Sequence, residues 1–271
     1  MDFLEEDVQT VFGSTHLILA GNPANPPLVL FHGVADDSAL MWLLNARALA
    51  EHFRIIAVDT IGGPGKSEPS EEYFKSFDQA RWIDSVLDSK GLERVFIAGV
   101  SNGAYLTQLY TAKRAQRVVK SVCIAGSVAV KGRKSPIWRM MKVFLPEALF
   151  PTPKNTVKLM SKMCASPENA QAIVGLNPWV MEHWVSLLKY FNNQSMFSHK
   201  TYGFEDAEID VIRGKTRILI GACDRLAAGS ESYDLLKKYG MNHRVIENAG
   251  HALNMERAEL VNEEITRFLL G

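Results

Sequence analysis

The chain has no net charge: 30 Lys and Arg offset 30 Asp and Glu over 271 residues. That balance removes any whole-chain electrostatic case for binding nucleic acid. Cysteine is scarce, and Cys123, Cys164 and Cys223 are odd in number and far apart. Such spacing fits a reduced, cytoplasmic setting better than a disulfide framework. Cys123 and Cys223 lie in apolar, strand-like runs and are expected as buried thiols. No pair of His or Cys stands at metal-ligand spacing, so neither a metal nor another cofactor is expected. The apolar run from Val122 to Val130 is interrupted by Gly126 and Ser127 and is too short to span a bilayer. Met1-Asp2-Phe3-Leu4-Glu5-Glu6 opens acidic, unlike a signal peptide. Internal repeats and low-complexity tracts are missing as well.

What is present is ordinary globular material, 47% apolar and 22% charged, in a length that buries a sizeable core. Strand-like and helix-like runs alternate, which predicts an α/β fold with a mostly parallel sheet. The expected strands are Leu28–His32, Arg54–Asp59, Val95–Gly99, Ser121–Gly126, Arg217–Ala222 and His243–Glu247. Val8–Phe12 and His16–Ala20, joined by Gly13-Ser14-Thr15, read as an antiparallel hairpin at one edge. Helical patterns cover Phe77–Lys90, Asn102–Arg117, Glu231–Tyr239 and Glu256–Leu270.

Residues 127–210 break the alternation. They are rich in Trp and Met (Trp138, Met140, Met141, Met160, Met163, Trp179, Met181, Trp184, Met196) and are punctuated by Pro136, Pro146, Pro151, Pro153, Pro167 and Pro178. Several short helices are expected there. The division that follows is a core domain of residues 1–126 and 211–271, with a helical cap insertion of 127–210 over the sheet's carboxyl end, where ligands bind in open α/β sheets. Met and Trp suit an adaptable apolar pocket wall, or simply the packing of the cap. Between residues 131 and 200 ten Lys or Arg face three Glu. This excess could attract an anionic substrate, an anionic membrane surface or a partner, or could reflect solvated helix faces.

The chemistry centres on Gly99-Val100-Ser101-Asn102-Gly103, between an apolar strand-like run and a helical one. Strand, sharp turn and helix is the setting of a nucleophile elbow, and glycine at 99 and 103 removes the clash that any Cβ would make there. A serine nucleophile needs a base, an orienting acid and donors for the oxyanion. His251, on the loop after the last strand, is the candidate base. Asp224, ending the preceding strand, is the candidate acid. No Asp or Glu occurs between Ser121 and Glu147, so an acid one strand earlier is unavailable. The backbone N–H groups of Val34 and Asn102 are the candidate oxyanion donors. His32 is expected to brace the loop it begins. His199, near Lys200, stays a distant second for substrate contact. Gly65-Lys66-Ser67 is not a P-loop, since Thr60 stands where a glycine is required.

Phe31-His32-Gly33, the run from Asp59 to Ser67, the serine pentapeptide, and Asp224 with Gly250-His251 occur in an order that resembles the serine α/β-hydrolases, carboxylesterase-like branch. The resemblance implies an eight-stranded, mostly parallel sheet with helices on both faces, a helical cap inserted after the sixth strand, and a Ser101-Asp224-His251 triad. Ser101 at the elbow sets the chain apart from relatives with an aspartate nucleophile, such as haloalkane dehalogenases and epoxide hydrolases. Asn102 departs from the commoner Met, Leu or Gln and could place a polar contact in the pocket. The implied activity is hydrolysis of a small to medium apolar carboxylic ester through an acyl-enzyme. The same triad could serve lactone, carbon–carbon bond or perhydrolase chemistry, and the fold could also carry a weakly catalytic, ligand-binding signalling protein.

Overall fold

Near-continuous apolar runs such as Leu28–Phe31 dictate a sheet covered on both faces, because successive side chains on a strand point to opposite sides. A computed structural model, describing residues 2–34, 36–132, 142–145, 147–227 and 230–271, shows such a sheet. Its strands are β1 (Phe3–Thr10), β2 (Gly13–Ala20), β3 (Pro27–Phe31), β4 (Arg54–Val58), β5 (Glu68–Pro69), β6 (Val95–Val100), β7 (Val118–Ile124), β8 (Thr216–Gly221) and β9 (Asn242–Ile246). They run β1-β2-β4-β3-β6-β7-β8-β9, with β5 paired only to β2. β1 and β2 are antiparallel to their neighbours, and the six strands from β4 through β9 in that order are parallel. The fold is thus the expected mostly parallel α/β sheet. The two-residue β5 adds a ninth strand, so the long helical segment follows the seventh strand in chain order; without β5 it follows the sixth.

The two faces separate cleanly. Val29 and Phe31 of β3, Ile56 and Val58 of β4, and Ile97 of β6 enter one core with Trp82, Leu106, Leu109 and Tyr110. Leu28, Leu30, Ile55, Ala57, Ala98 and Val100 enter the other with Trp42, Leu49, Val261 and Ile265. Each face is closed by helices: Gln79–Ser89 and Asn102–Lys113 on the first, Ala46–Ala50 and Ala258–Leu270 on the second. The fully buried Glu264 gathers Arg217, Arg244 and Arg267, which compensates its charge.

The hairpin differs from expectation in extent. β1 begins at Phe3, and its turn is Val11-Phe12, not Gly13-Ser14-Thr15, which opens β2. Phe12 is 1% exposed, so the core draws the turn inward one step earlier than the Gly-Ser-Thr signal suggests. Cys123 and Cys164 are buried, but Cys223 is exposed. β8 ends at Gly221, and the chain is already turning when it reaches Cys223.

Between β7 and β8 the described residues form helices, not strands, apart from one isolated bridge pairing Val130 with Phe204. Helices Pro153–Met163, Pro167–Val174 and Pro178–Tyr190 each begin on a proline. Thr152, Ser166 and Asn177 cap them by accepting from the N–H of Asn155, Asn169 and Trp179. Proline at the first helical position forfeits no bond, and a capping oxygen satisfies a free N–H, so these Thr-Pro, Ser-Pro and Asn-Pro pairs define the starts. Met160, Ile173, Val174, Val180 and Trp184 continue the second core. The helix Asp206–Lys215 runs across residue 210 and buries Ile209 and Ile212 in the first core. Trp138, Met140 and Met141 lie outside the described residues. Among the described residues no helix is long and apolar enough to cross a membrane.

Trp82 is fully buried, tilts against Phe31 and donates Nε1–H to Thr15 Oγ1 at 2.9 Å. Trp82→Ala is expected to cost about 3–5 kcal/mol, read as a lower urea midpoint with an unchanged slope.

Candidate active site

Ser101, Asp224, His251 and Val34 all lie on turns that follow strands. β6 passes into the helix Asn102–Lys113 through Ser101 alone, whose φ is 56° and ψ −111°. A non-glycine residue held there is strained by about 1–3 kcal/mol. The surroundings enforce it: a Cβ on Gly99 would lie 2.1 Å from Gly103 O, and one on Gly103 would lie 2.3 Å from Phe31 O. Strand β6, the helix and β3 are therefore in backbone contact, and the serine has no room to relax. Ser101 N–H donates to Ile124 O at 2.8 Å, fastening the turn to β7.

Asp224 follows β8 and is 2% exposed. Its Oδ1 accepts from the N–H of Leu226 at 2.8 Å and Ala227 at 2.9 Å, and its Oδ2 faces His251 Nδ1 at 2.8 Å. With Nδ1–H donating to the carboxylate, Nε2 is left as a base. Glu256 fixes the histidine loop: Oε2 accepts from Gly250 N–H at 2.6 Å, while Oε1 accepts from Ala165 N–H at 2.7 Å and Asn169 Nδ2 at 2.8 Å. Ala252 N–H donates to Met163 O at 3.1 Å. The loop is thereby shared between the core and the helical segment.

Ser101 and His251 line one cavity, partly open to solvent. Gly33 and Val34 border it, and its walls include Met41, Leu159, Met160, Met163 and Trp184. Of the two roles left open for the Met- and Trp-rich segment, wall or packing, Met160, Met163 and Trp184 are at the wall, and Met160 and Trp184 also pack in the second core. Trp179 points away, 73% exposed. The Asn102 side chain is not among the lining groups, and its buried Nδ2 has no partner among the described residues.

His32 braces its loop. Thr60 N–H donates to Nε2 at 2.7 Å, so Nδ1 carries the proton and donates to Gly33 O at 2.6 Å. His199 is not brought to the cavity. It packs on Tyr73 and Phe77, its Nε2 lies 2.8 Å from Ile61 O, and burial lowers its pKa to about 4. The apolar contacts available to its ring favour the interior over a substrate-facing position. Lys66 is engaged locally: its N–H donates to Asp59 Oδ2 at 2.8 Å and its Nζ pairs with Glu5 at 2.6 Å. Among the described residues no group of three or more His, Cys, Asp or Glu could hold a metal ion.

Two acids missed by sequence reasoning stand beside the site. Asp36 lines the cavity, and its Oδ1 accepts from Trp184 Nε1–H. Burial raises its pKa to about 6, helped by Asp37 and opposed by the Trp184 bond, His32 and His251. Asp37 Oδ2 lies 2.5 Å from His183 Nε2, and its Oδ1 caps the helix Ser38–Met41 at Leu40 N–H, 2.9 Å. Burial pushes Asp37 up, but the bonds from His183 and Leu40 outweigh it and the net shift is downward; the same Asp37 bond raises His183. The Asp-Asp pair directly after the glycine turn was the available signal, but nothing local indicates a partner nearly 150 positions later.

The family model for the alpha/beta hydrolase fold matches residues 26–258. The chain belongs to that family, and its resemblance is to the carboxylesterase-like members. The carboxylesterase YbfK of Bacillus subtilis is 28% identical over 97% of this chain and 87% of its own. The crystal structure of that carboxylesterase, CesB (YbfK), superposes with a TM-score of 0.80 at 27% identity, covering 100% of this chain and 93% of the other. The naproxen esterase of the same organism gives a TM-score of 0.82 at 24% identity over 98% and 91%, a likeness of fold. The 28% identical carboxylesterase, matched over 87% of its length, supports a carboxylesterase-like hydrolase.

Asp36 binds its proton more tightly folded than unfolded, so the stability it contributes is full below about pH 4 and is lost as pH rises through about 6. Asp36→Asn keeps an acceptor for Trp184 without the buried charge. It is expected to raise the unfolding free energy at pH 8 by up to about 3 kcal/mol relative to its effect at pH 4. Equal effects at the two pH values, by urea titration, would count against the assignment. Gly99→Ala is expected to lower stability by more than about 2 kcal/mol through the 2.1 Å contact, read as a fall in Tm.

Proposed function

We propose that the protein is a serine esterase acting on small to medium apolar carboxylic esters. One observation carries the reading: a strained serine and a histidine oriented by a buried carboxylate face the same apolar cavity. In this reading Ser101 Oγ attacks the ester carbonyl carbon while His251 Nε2 takes the hydroxyl proton. The carbonyl π-pair moves onto oxygen, where the N–H groups of Val34 and Asn102 stabilise it, each by about 3 kcal/mol. Collapse of the tetrahedral intermediate breaks the bond to the alcohol oxygen, which receives the proton from His251. Water then repeats the sequence on the acyl-enzyme and releases the acid. Asp224 holds the imidazole in the required tautomer and offsets its positive charge.

The same reading makes residues 127–210 a cap. Its neck is the Val130–Phe204 bridge, and its Leu159, Met160, Met163 and Trp184 wall the cavity. An apolar wall favours an apolar acyl or alcohol group through its removal from water.

Hydrolysis of p-nitrophenyl esters from acetate to decanoate tests this directly. Ser101→Ala is expected to lower kcat on the order of 10⁶-fold, and near-normal turnover in that variant would overturn the assignment. The optimum chain length sizes the cavity.

A further inference from the structure

The loop that follows β3 carries the proposed oxyanion donor Val34, and its hold on the rest of the molecule is unusual. Gly33 is pressed close to Ser101: a Cβ there would lie 3.6 Å from the serine Cβ and 3.3 Å from Met41 Cε. Two residues beyond Val34, the loop is seized from above. Asp36 accepts from Trp184 Nε1–H, and Asp37 Oδ2 meets His183 Nε2 at 2.5 Å. Both donors belong to the cap helix Pro178–Tyr190. From below, Asp37 Oδ1 takes Leu40 N–H, and Ser38 N–H donates to Asp59 Oδ1 at 3.0 Å.

Adjacent residues on a helix project about 100° apart. Two bonds from adjacent helix residues to adjacent loop residues therefore fix the loop's rotation as well as its position. A single bond would leave the peptide plane between Asp36 and Asp37 free to swing about it. An amide that must meet a developing oxyanion cannot swing, because donor alignment is set before the reaction and not during it.

We propose that His183 and Trp184 are positioning residues for the oxyanion-binding amide of Val34, acting through Asp37 and Asp36, so that seating of the cap helix completes the catalytic site. The inference rests on the esterase reading for its kinetic consequence, but the tether itself does not. His183 is the cleaner probe, since it does not line the cavity and its side chain is 46% exposed. Burial keeps Trp184 at 3% exposure, so Trp184→Phe preserves most of the packing while removing the donor.

The experiment compares wild type, His183→Leu, Trp184→Phe and His183→Gln. Steady-state kinetics use p-nitrophenyl butyrate, and inhibition uses butylboronic acid, whose tetrahedral adduct on Ser101 places an oxygen at the oxyanion site. Hydrogen exchange is followed at the Val34 and Asp36 amides. His183→Leu and Trp184→Phe are each expected to lower kcat roughly tenfold, the worth of one aligned bond, with KM of His183→Leu nearly unchanged. Boronic acid affinity should fall by the same factor, and both amides should exchange faster. His183→Gln restores a donor and should recover most of the loss. Unchanged exchange, with any kinetic change confined to KM and boronic acid affinity intact, overturns the proposal. Persistent turnover in Ser101→Ala defeats only the esterase reading; the exchange rates then still decide the tether.

Discussion

Backbone contact between β6 and the helix that follows it is the constraint on which the rest depends. A strand can turn into a helix through one residue only if the two segments nearly touch, and here the Cβ positions of residues 99 and 103 are occupied by backbone carbonyls. Two glycines make that approach possible, and the residue between them is left at φ 56°. The strain is borne because the parallel strands on either side hold β6 at the centre of the sheet. Apolar burial on both faces supplies the stabilisation that a local conformational cost of this size requires.

From that fixed point the other groups are placed by the sheet. Parallel strands deliver all their carboxyl ends to one edge, so His32-Gly33, Ser101, Asp224 and the His251 loop converge although they are spread over 220 positions of sequence. The sheet alone does not finish the site. Glu256 joins the histidine loop to Ala165 and Asn169, and Asp36 and Asp37 join the loop after β3 to Trp184 and His183. Carboxylates thus serve at three places as bridges between core and helical segment. Acids withdrawn from water are costly unless paired, and each of these accepts from donors on the opposite side of the interface.

Parts of this were legible beforehand for physical reasons that can be named. The central strands carry near-continuous apolar runs bounded by turn residues, and six were located to within a few positions. The elbow was legible because two glycines two residues either side of a serine have few other uses between a strand and a helix. The prolines divided the segment into several short helices, and three helices begin on Pro153, Pro167 and Pro178. The failures are equally specific. Cys223 read as buried because its flanks are apolar, but the strand had already ended. The Gly13-Ser14-Thr15 turn signal lost to the burial of Phe12. His199 seemed free to meet a ligand, and its aromatic neighbours Tyr73 and Phe77 come from more than 120 residues earlier.

By itself the sequence determined the class of fold, the order of its strands along the chain and the candidate groups Ser101, Asp224 and His251, because periodicity, glycine placement and position at a strand's end are local properties. Only the tertiary structure decided which oxygen of Asp224 meets the imidazole, which of the many Met and Trp side chains wall the cavity, and that Asp36 and Asp37 grip the helix above them. Those outcomes depend on the directions in which side chains from distant segments meet, and a directional contact between residues 37 and 183 leaves no mark on the residues that separate them.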